Sequence, residues 1–524
     1  MRALALAALL AACNAPSSGP RFRAAGGEPR AGGTLRIAFP GAVSSLDPTI
    51  AYDELSFYVL HHLFDTLVDY APGSFDPIPR LAERWEISDD GRTLRFWLRP
   101  GLTFADGKPI AAAHFKYSLE RARTTPDSPF GPMLADVVGI SAPSDRELVI
   151  ALGAPNTAFL YVLAMPFATP QREDHVMAAG DNLRRMPLAT GPYELGSWDE
   201  GQHIVLHERE GYFDPTRNRI GAIDVRENVP RDSQFLMLEA GELDTMMSPT
   251  PPDLLWVTSS AAWQPYVHRR SLLTTFGSRF DVTVKPFDDV RVRQALNYAL
   301  DKSAIVKLLT GTATPAHGIL VPGMLGFDDK LAPYPHDPAK AKALLAAAGY
   351  PDGFATTYVT TDDADASTLA QSLQADFAEV GVRVTIQQMS FATFATAIGK
   401  HGTPFAFVSW LADYPDPSNF LDTRFHSKSI SEEGSLNASF YSNPALDALL
   451  DSARAERDPA QRAELYRRAE RIVHDDAPWL WGYHSIATEV SQPYLKGFDQ
   501  HPVWLRDFTT AWLDLDVDGE RVRR

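Results

Sequence analysis

An apolar run, Phe405 to Trp410, ends in the irregular sequence Leu411-Ala412-Asp413-Tyr414-Pro415-Asp416-Pro417. The run reads as a strand and DYPDP as its exit turn, since each proline removes a backbone donor and fixes φ. An aromatic plate thus stands at a strand end, with a carboxylate three residues on. Loops held by a rigid scaffold are where binding groups concentrate. Taken alone, Asp413 reads as a plain turn aspartate.

Other reactive side chains are scattered. His61 and His62 are adjacent on an expected helix, where neighbours point about 100° apart, so they read as a helical pair rather than two ligands of one metal. His317 and His484 stand alone and read as hydrogen-bonded structural histidines. The 66 acidic residues make chance carboxylate pairs common. No GxSxG elbow, HExxH helix, P-loop, GxGxxG or calcium loop occurs in the chain. Neither catalysis nor a cofactor is expected, and no metal site.

The single cysteine is Cys13, which excludes an intramolecular disulfide or a cysteine cage for zinc. It follows Arg2 and an apolar Ala/Leu run too short to span a bilayer. Leu10-Ala11-Ala12-Cys13 looks like a bacterial lipobox, so residues 1–13 read as a lipoprotein signal peptide and Cys13 as its acylation site. Residues 14–33, rich in Pro, Ser, Gly and Ala, read as a flexible tether. The formal charge is −17 and no Lys/Arg cluster stands out, which sets nucleic acid aside as a partner. The closing Arg521-Val522-Arg523-Arg524 reads as a solvated terminus.

Elements that could position a site follow from pattern. Thr34 to Phe39 alternates as a first strand. Residues 54–68 carry Leu55, Val59, Leu63 and Leu67 at helical spacing. Asp90-Gly91 signals a hairpin before Leu94, Phe96 and Leu98. Residues 113–123 and 234–244 read as helices, the second stopped by Gly241. Asp337-Pro338, Asn443-Pro444 and Asp458-Pro459 each open a helix with a capping side chain and proline in the first turn. Strand 354–361, helix 364–380 and strand 382–388 form a βαβ unit, which implies some parallel sheet and an α/β class.

Six stretches in this order resemble the family 5 bacterial extracellular solute-binding proteins, the oligopeptide/dipeptide-binding group. They are SSLDPTIAYDELSFYVLHHLFDTLVDY, PRLAERWEISDDGRTLRFWLRPGLTFADGKPI, TGPYELGSWDEGQHIVLHEREGYFD, PFDDVRVRQALNYALDKSAIV, WLADYPDPSNF and DAPWLWGYH. The resemblance implies a type II (class C) periplasmic binding protein fold, two lobes joined by a hinge with an extra inserted domain. Lobe I would comprise 34–57, 187–275 and 488–524; the inserted domain II, 58–186; and lobe III, 276–487. It further implies a monomeric, non-enzymatic binding subunit of an ABC importer, anchored outside the cytoplasmic membrane. That subunit would close on short peptides and deliver them to a permease with its ATPase.

The Asp of the W-x-x-D element then matches Asp413 as the partner of a peptide's α-ammonium. Trp410 and Tyr414 flank it, and Tyr52 would line the pocket from the opposite lobe. The chain departs from some relatives in one respect. Residues 405–409 carry no basic group to meet a ligand carboxylate. A non-peptide cargo (metal chelate, opine, glycoside or antibiotic) therefore stays open, as does a secreted receptor without a transporter.

Overall fold

A computed structural model describes residues 19–524 apart from residue 127. Cys13 and the expected signal peptide lie outside the described residues. The body divides around three sheets, each with its own buried side chains.

The first sheet has four strands in the order Thr34–Ala38, Ala222–Arg226, His203–Glu208, Tyr193–Asp199, the first pair parallel and the others antiparallel. Its core joins Leu35, Ile37, Ile204 and Leu206 to Tyr58, Leu60 and Leu63 of the helix Glu54–Leu63. That helix begins where Asp53 accepts the amide of Ser56 at 2.9 Å, satisfying one of the free donors of its first turn. It stops at Leu63, and Leu67 lies beyond it in the core of the inserted domain. Immediately after the helix, Asp65 takes a buried hydrogen bond from Arg80 Nε at 2.8 Å, so the chain turns away to make that pair. Tyr58, Val59, Leu60, Leu63 and Phe64 pack in the core of the first sheet, and the buried cluster around the second sheet begins at Leu67.

The inserted domain holds an antiparallel sheet in the order Ala82–Ile87, Thr93–Leu98, Glu147–Leu152, Val137–Ser144. Leu94, Phe96 and Leu98 all point inward at 1 % exposure or less, as their alternation requires. Phe115, Leu119 and Ala122 of the helix Ala112–Thr124 cover them.

The third sheet runs Thr245–Met247, Trp479–Ser491, Val267–Phe280, Phe405–Leu411, Ala355–Thr361, Arg383–Met389, with Ala313–Pro315 alongside the second of these. The βαβ unit lies within it: 355–361 and 383–389 pair in parallel around the helix Ala364–Glu379. Val267–Phe280 and Trp479–Ser491 span from one lobe to the other. Their pairing slips between Ser271 and Thr275, where Leu272, Leu273 and Thr274 face the single residue Ser485. Such an irregularity bends a strand pair and strengthens its twist. The expected lobe limits at 275/276 and 487/488 fall inside these two continuous strands.

The expected tether is shorter than its composition suggests. Phe22–Arg23 pairs with Val522–Arg523, and the amides of Gly26 and Gly27 donate to Asp514 at 3.0 and 2.9 Å. Nonlocal pairing thus fixes residues 22–27, and the closing Arg-rich segment is a strand rather than a loose terminus. All five buried clusters and every strand pair lie within residues 22–524.

Candidate ligand-binding site

Trp410 sits next to last in the strand Phe405–Leu411, paired opposite Thr275 on the lobe-crossing strand. The chain then leaves the sheet, and Asp416 caps the helix Pro417–Phe425 by accepting the amide of Ser418 at 3.0 Å. Asp416 is 1 % exposed and is neutralised by Arg462, whose Nη1 and Nη2 donate at 2.7 and 2.9 Å. Bidentate pairing of this kind fixes geometry as well as charge.

Asn419, three residues into that helix, faces back to the loop. Its Oδ1 accepts both Trp410 Nε1 at 3.1 Å and the Asp413 amide at 3.0 Å. Its Nδ2 donates to Asp413 Oδ2 at 2.9 Å. One buried amide therefore sets the aromatic plate and the carboxylate relative to each other.

The second carboxylate oxygen, Oδ1, accepts the hydroxyl of Tyr52 from the opposite lobe. Tyr52 precedes the helix cap Asp53, and its ring meets Phe57 and Phe130 edge-on at 6.2 and 5.7 Å. Upstream, Asp47 is clamped by Arg121 at 2.7 and 2.6 Å, which holds this loop to the inserted domain.

Around the Tyr52–Asp413 contact lies a cavity of ≈ 300 Å³. Residues 52–54, 57–58, 165–166, 272–273, 410–413 and 502–505 line it, so all three bodies and the slipped segment of the crossing strand contribute. Its wall is largely aromatic and aliphatic. The only charged side chains on it are Asp53, Glu54 and Asp413. Asp53 is spent on the helix cap and Glu54 accepts the hydroxyl of Tyr58.

Burial raises the Asp413 carboxyl above the usual carboxylate range, and Asn419, Tyr52 and Arg424 pull it back. Arg424 ends the same helix that carries Asn419. Its guanidinium lies 4.7 Å from the Trp410 ring centre and 5.5 Å from that of Trp479. It is 6 % exposed, and its Nε is buried without an acceptor. Burial pushes it down to about 10.

Of the four residues expected at the site, Trp410, Asp413 and Tyr52 converge on the cavity. Tyr414 does not: it lies outside the lining, partly buried against the core of the inserted domain. The Pro415 turn sends it away from the plate it follows in sequence. Asn419 and Arg424 were not anticipated. The cap signal Asp416-Pro417 placed the helix, and position three of that helix faces its own N-terminal loop. Nothing local signals Arg424, because a charge on a wholly enclosed helix reads as surface until its surroundings are known.

The histidines have other occupations. His61 stacks on Trp504 at 4.4 Å, and His62 accepts the Phe508 amide at 3.2 Å. The Nδ1 of His484 is 2.9 Å from the Thr275 hydroxyl, and burial lowers the ring to about 3.

The family model "Bacterial extracellular solute-binding proteins, family 5 Middle" matches residues 76–432. The chain belongs to this family. It is 31% identical over 484 residues to the dipeptide-binding protein of Escherichia coli K12, covering 86% of this chain and 89% of that one. Heme-binding protein A of Haemophilus influenzae is 30% identical over 491 residues, covering 87% of each. An ABC transporter-associated periplasmic binding protein from Helicobacter pylori, solved with the peptide STSA, superposes with a TM-score of 0.80 at 27% identity. That match covers 93% of this chain and 99% of the other. The cavity has walls from three bodies, where a hinge closure of the lobes would enclose a solute.

Proposed function

We propose that this protein captures short peptides by their free amino end and delivers them to an ABC permease with its ATPase. The observation that carries the reading is Asp413, a carboxylate on a largely apolar cavity wall at the meeting of the lobes. Taking a carboxylate out of water costs several kcal/mol unless a cation pairs with it, so an α-ammonium is rewarded and a blocked amine penalised. Trp410 gives a flat apolar wall beside that anchor. A volume of ≈ 300 Å³ lies at the small end of ligand pockets and suits a short ligand. The relative named for dipeptides and the neighbour solved with a tetrapeptide support the same class.

The protein acts as a monomer without enzymatic activity, held outside the cytoplasmic membrane by acylated Cys13. No helix among the described residues is long and apolar enough to cross a membrane.

A second reading keeps the fold and changes the cargo. No basic residue lines the cavity, so a ligand carboxylate finds no direct partner there. A cationic or neutral non-peptide solute fits that wall as well. Native mass spectrometry of the purified protein, before and after mild denaturation, separates the two. Release of short peptides with free amino ends is expected; a single non-peptide mass moves the cargo to the second reading.

A further inference from the structure

The ends of the folded body meet in a two-stranded ribbon. Phe22 pairs with Arg523 and Arg23 with Val522, and the Arg524 amide donates to Arg21 O at 3.1 Å. This brings Arg21, Arg23, Arg523 and Arg524 together, all four exposed. Among the described residues none of them has a carboxylate partner. Arg521, in contrast, is committed to Asp244 at 2.8 Å. The ribbon rests on the end of the helix Arg231–Ala240, where Arg21 Nη1 donates to Ala240 O at 2.8 Å. A Cβ on Gly241, the left-handed cap of that helix (φ 73°), would lie 2.1 Å from the Phe22 ring, so the seat is close.

Charge along the ribbon is polarised. Asp516, Asp518 and Glu520 lie in the turn that feeds it from one end. Arg21 and Arg524 lie at the other, where the chain enters from the leader: a Cβ on Gly19 would be 3.3 Å from Arg524 Nη1 and 2.5 Å from Ala262. Only six residue steps separate Cys13 from Gly19, which at full extension reach about 20 Å.

We propose that this four-arginine ribbon is a membrane-docking surface that holds the body against anionic phospholipid headgroups. The inference rests on the reading of Cys13 as an acyl anchor, which places the ribbon's basic end within a short reach of the bilayer. A chain with formal charge −17 is repelled by an anionic surface in most orientations. The ribbon offers an orientation in which four exposed cations lie close together. Leu236 is exposed on the helix Arg231–Ala240, whose C-terminal end accepts Arg21. The acyl anchor brings the ribbon to the bilayer surface, and a basic patch there adds electrostatic attraction to anionic lipid.

The test uses the chain from residue 14 onward, which retains every described strand pair and buried cluster, without acyl groups. It is sedimented with phosphatidylglycerol-rich or pure phosphatidylcholine vesicles at low ionic strength. The expected result is binding to the anionic vesicles only. Binding falls at least about tenfold in the R21Q/R23Q/R523Q/R524Q variant, as the loss of four exposed cations predicts. Added salt weakens it. Thermal melting and ligand binding of the variant stay at parent values. No binding to anionic vesicles, or equal binding by the variant, overturns the proposal. So does binding to a soluble polyanion such as heparin without binding to vesicles. Acylation of Cys13 is read separately, by mass of the N-terminal peptide from cells, so loss of the anchor reading is distinguishable from failure of the ribbon.

Discussion

Tyr52 of one lobe donates its hydroxyl to Asp413 Oδ1 of the other, while Asn419 Nδ2 holds the second oxygen at 2.9 Å. A carboxylate offers about four acceptor positions, so two remain for the donors of a ligand's ammonium. Asn419 and Arg424 share one helix, and that helix is fixed at its start by the Asp416–Arg462 pair. The site is therefore built from lobe III outward, with Tyr52 meeting it across the cleft.

Replacing Asp413 by Asn keeps the shape and removes the charge. Affinity for free-amine peptides is expected to fall at least about a hundredfold, or roughly 3 kcal/mol, the range for truncating a buried charge pair. Without ligand the variant melts at or slightly above the parent temperature. The sign follows from linkage: a carboxyl raised on folding binds more protons in the folded state, so its ionised form destabilises the fold at neutral pH. Calorimetric titration and thermal melting check the two halves.

Affinity should also weaken on acidification, starting above the ordinary carboxylate range. As pH falls through the raised Asp413 value, the protonated acid no longer pairs with an ammonium. Arg424 and the Tyr52 and Asn419 hydrogen bonds oppose that rise. Changing Arg424 to Met should therefore move the loss of binding to higher pH. A titration series in pH on parent and variant measures the shift.

The Asp416–Arg462 pair carries the helix behind the site. Arg462→Met leaves a carboxylate at 1 % exposure with no cation, at a cost of about 3–5 kcal/mol. Asn419 should lose its fixed position with the cap, so affinity falls as well. Denaturant unfolding gives the first quantity and ligand titration the second.

Tyr52→Phe removes the hydroxyl that bridges the lobes. A hydrogen bond to a charged group contributes about 1.5–3 kcal/mol, enough to shift an open–closed balance more than tenfold. The ligand-free variant should show a larger radius of gyration by small-angle scattering than the parent, and the ligand-bound forms should coincide.

Much of this was legible in local pattern. The strand-to-turn change at Trp410, the Asp-Pro cap at 416–417 and the alternation of Leu94, Phe96 and Leu98 rest on nearest-neighbour physics. Helix Glu54–Leu63 ran one turn short of its apolar stripe, because the buried Asp65–Arg80 pair outweighs continuation. Residues 22–23 read as tether because their strand partner lies at 522–523, and no local pattern shows such a pairing. Arg424 and the displacement of Tyr414 were hidden for a related reason. Both depend on which side of an element the rest of the chain covers.

The most direct test of the account is calorimetric titration of one peptide in two forms, with its amino end free and with the same end acetylated. Binding of the free form is expected, with at least about a hundredfold weaker binding of the acetylated one and the difference abolished in Asp413→Asn. Equal affinity for both forms in the parent protein would contradict Asp413 as the anchor of a peptide's amino end.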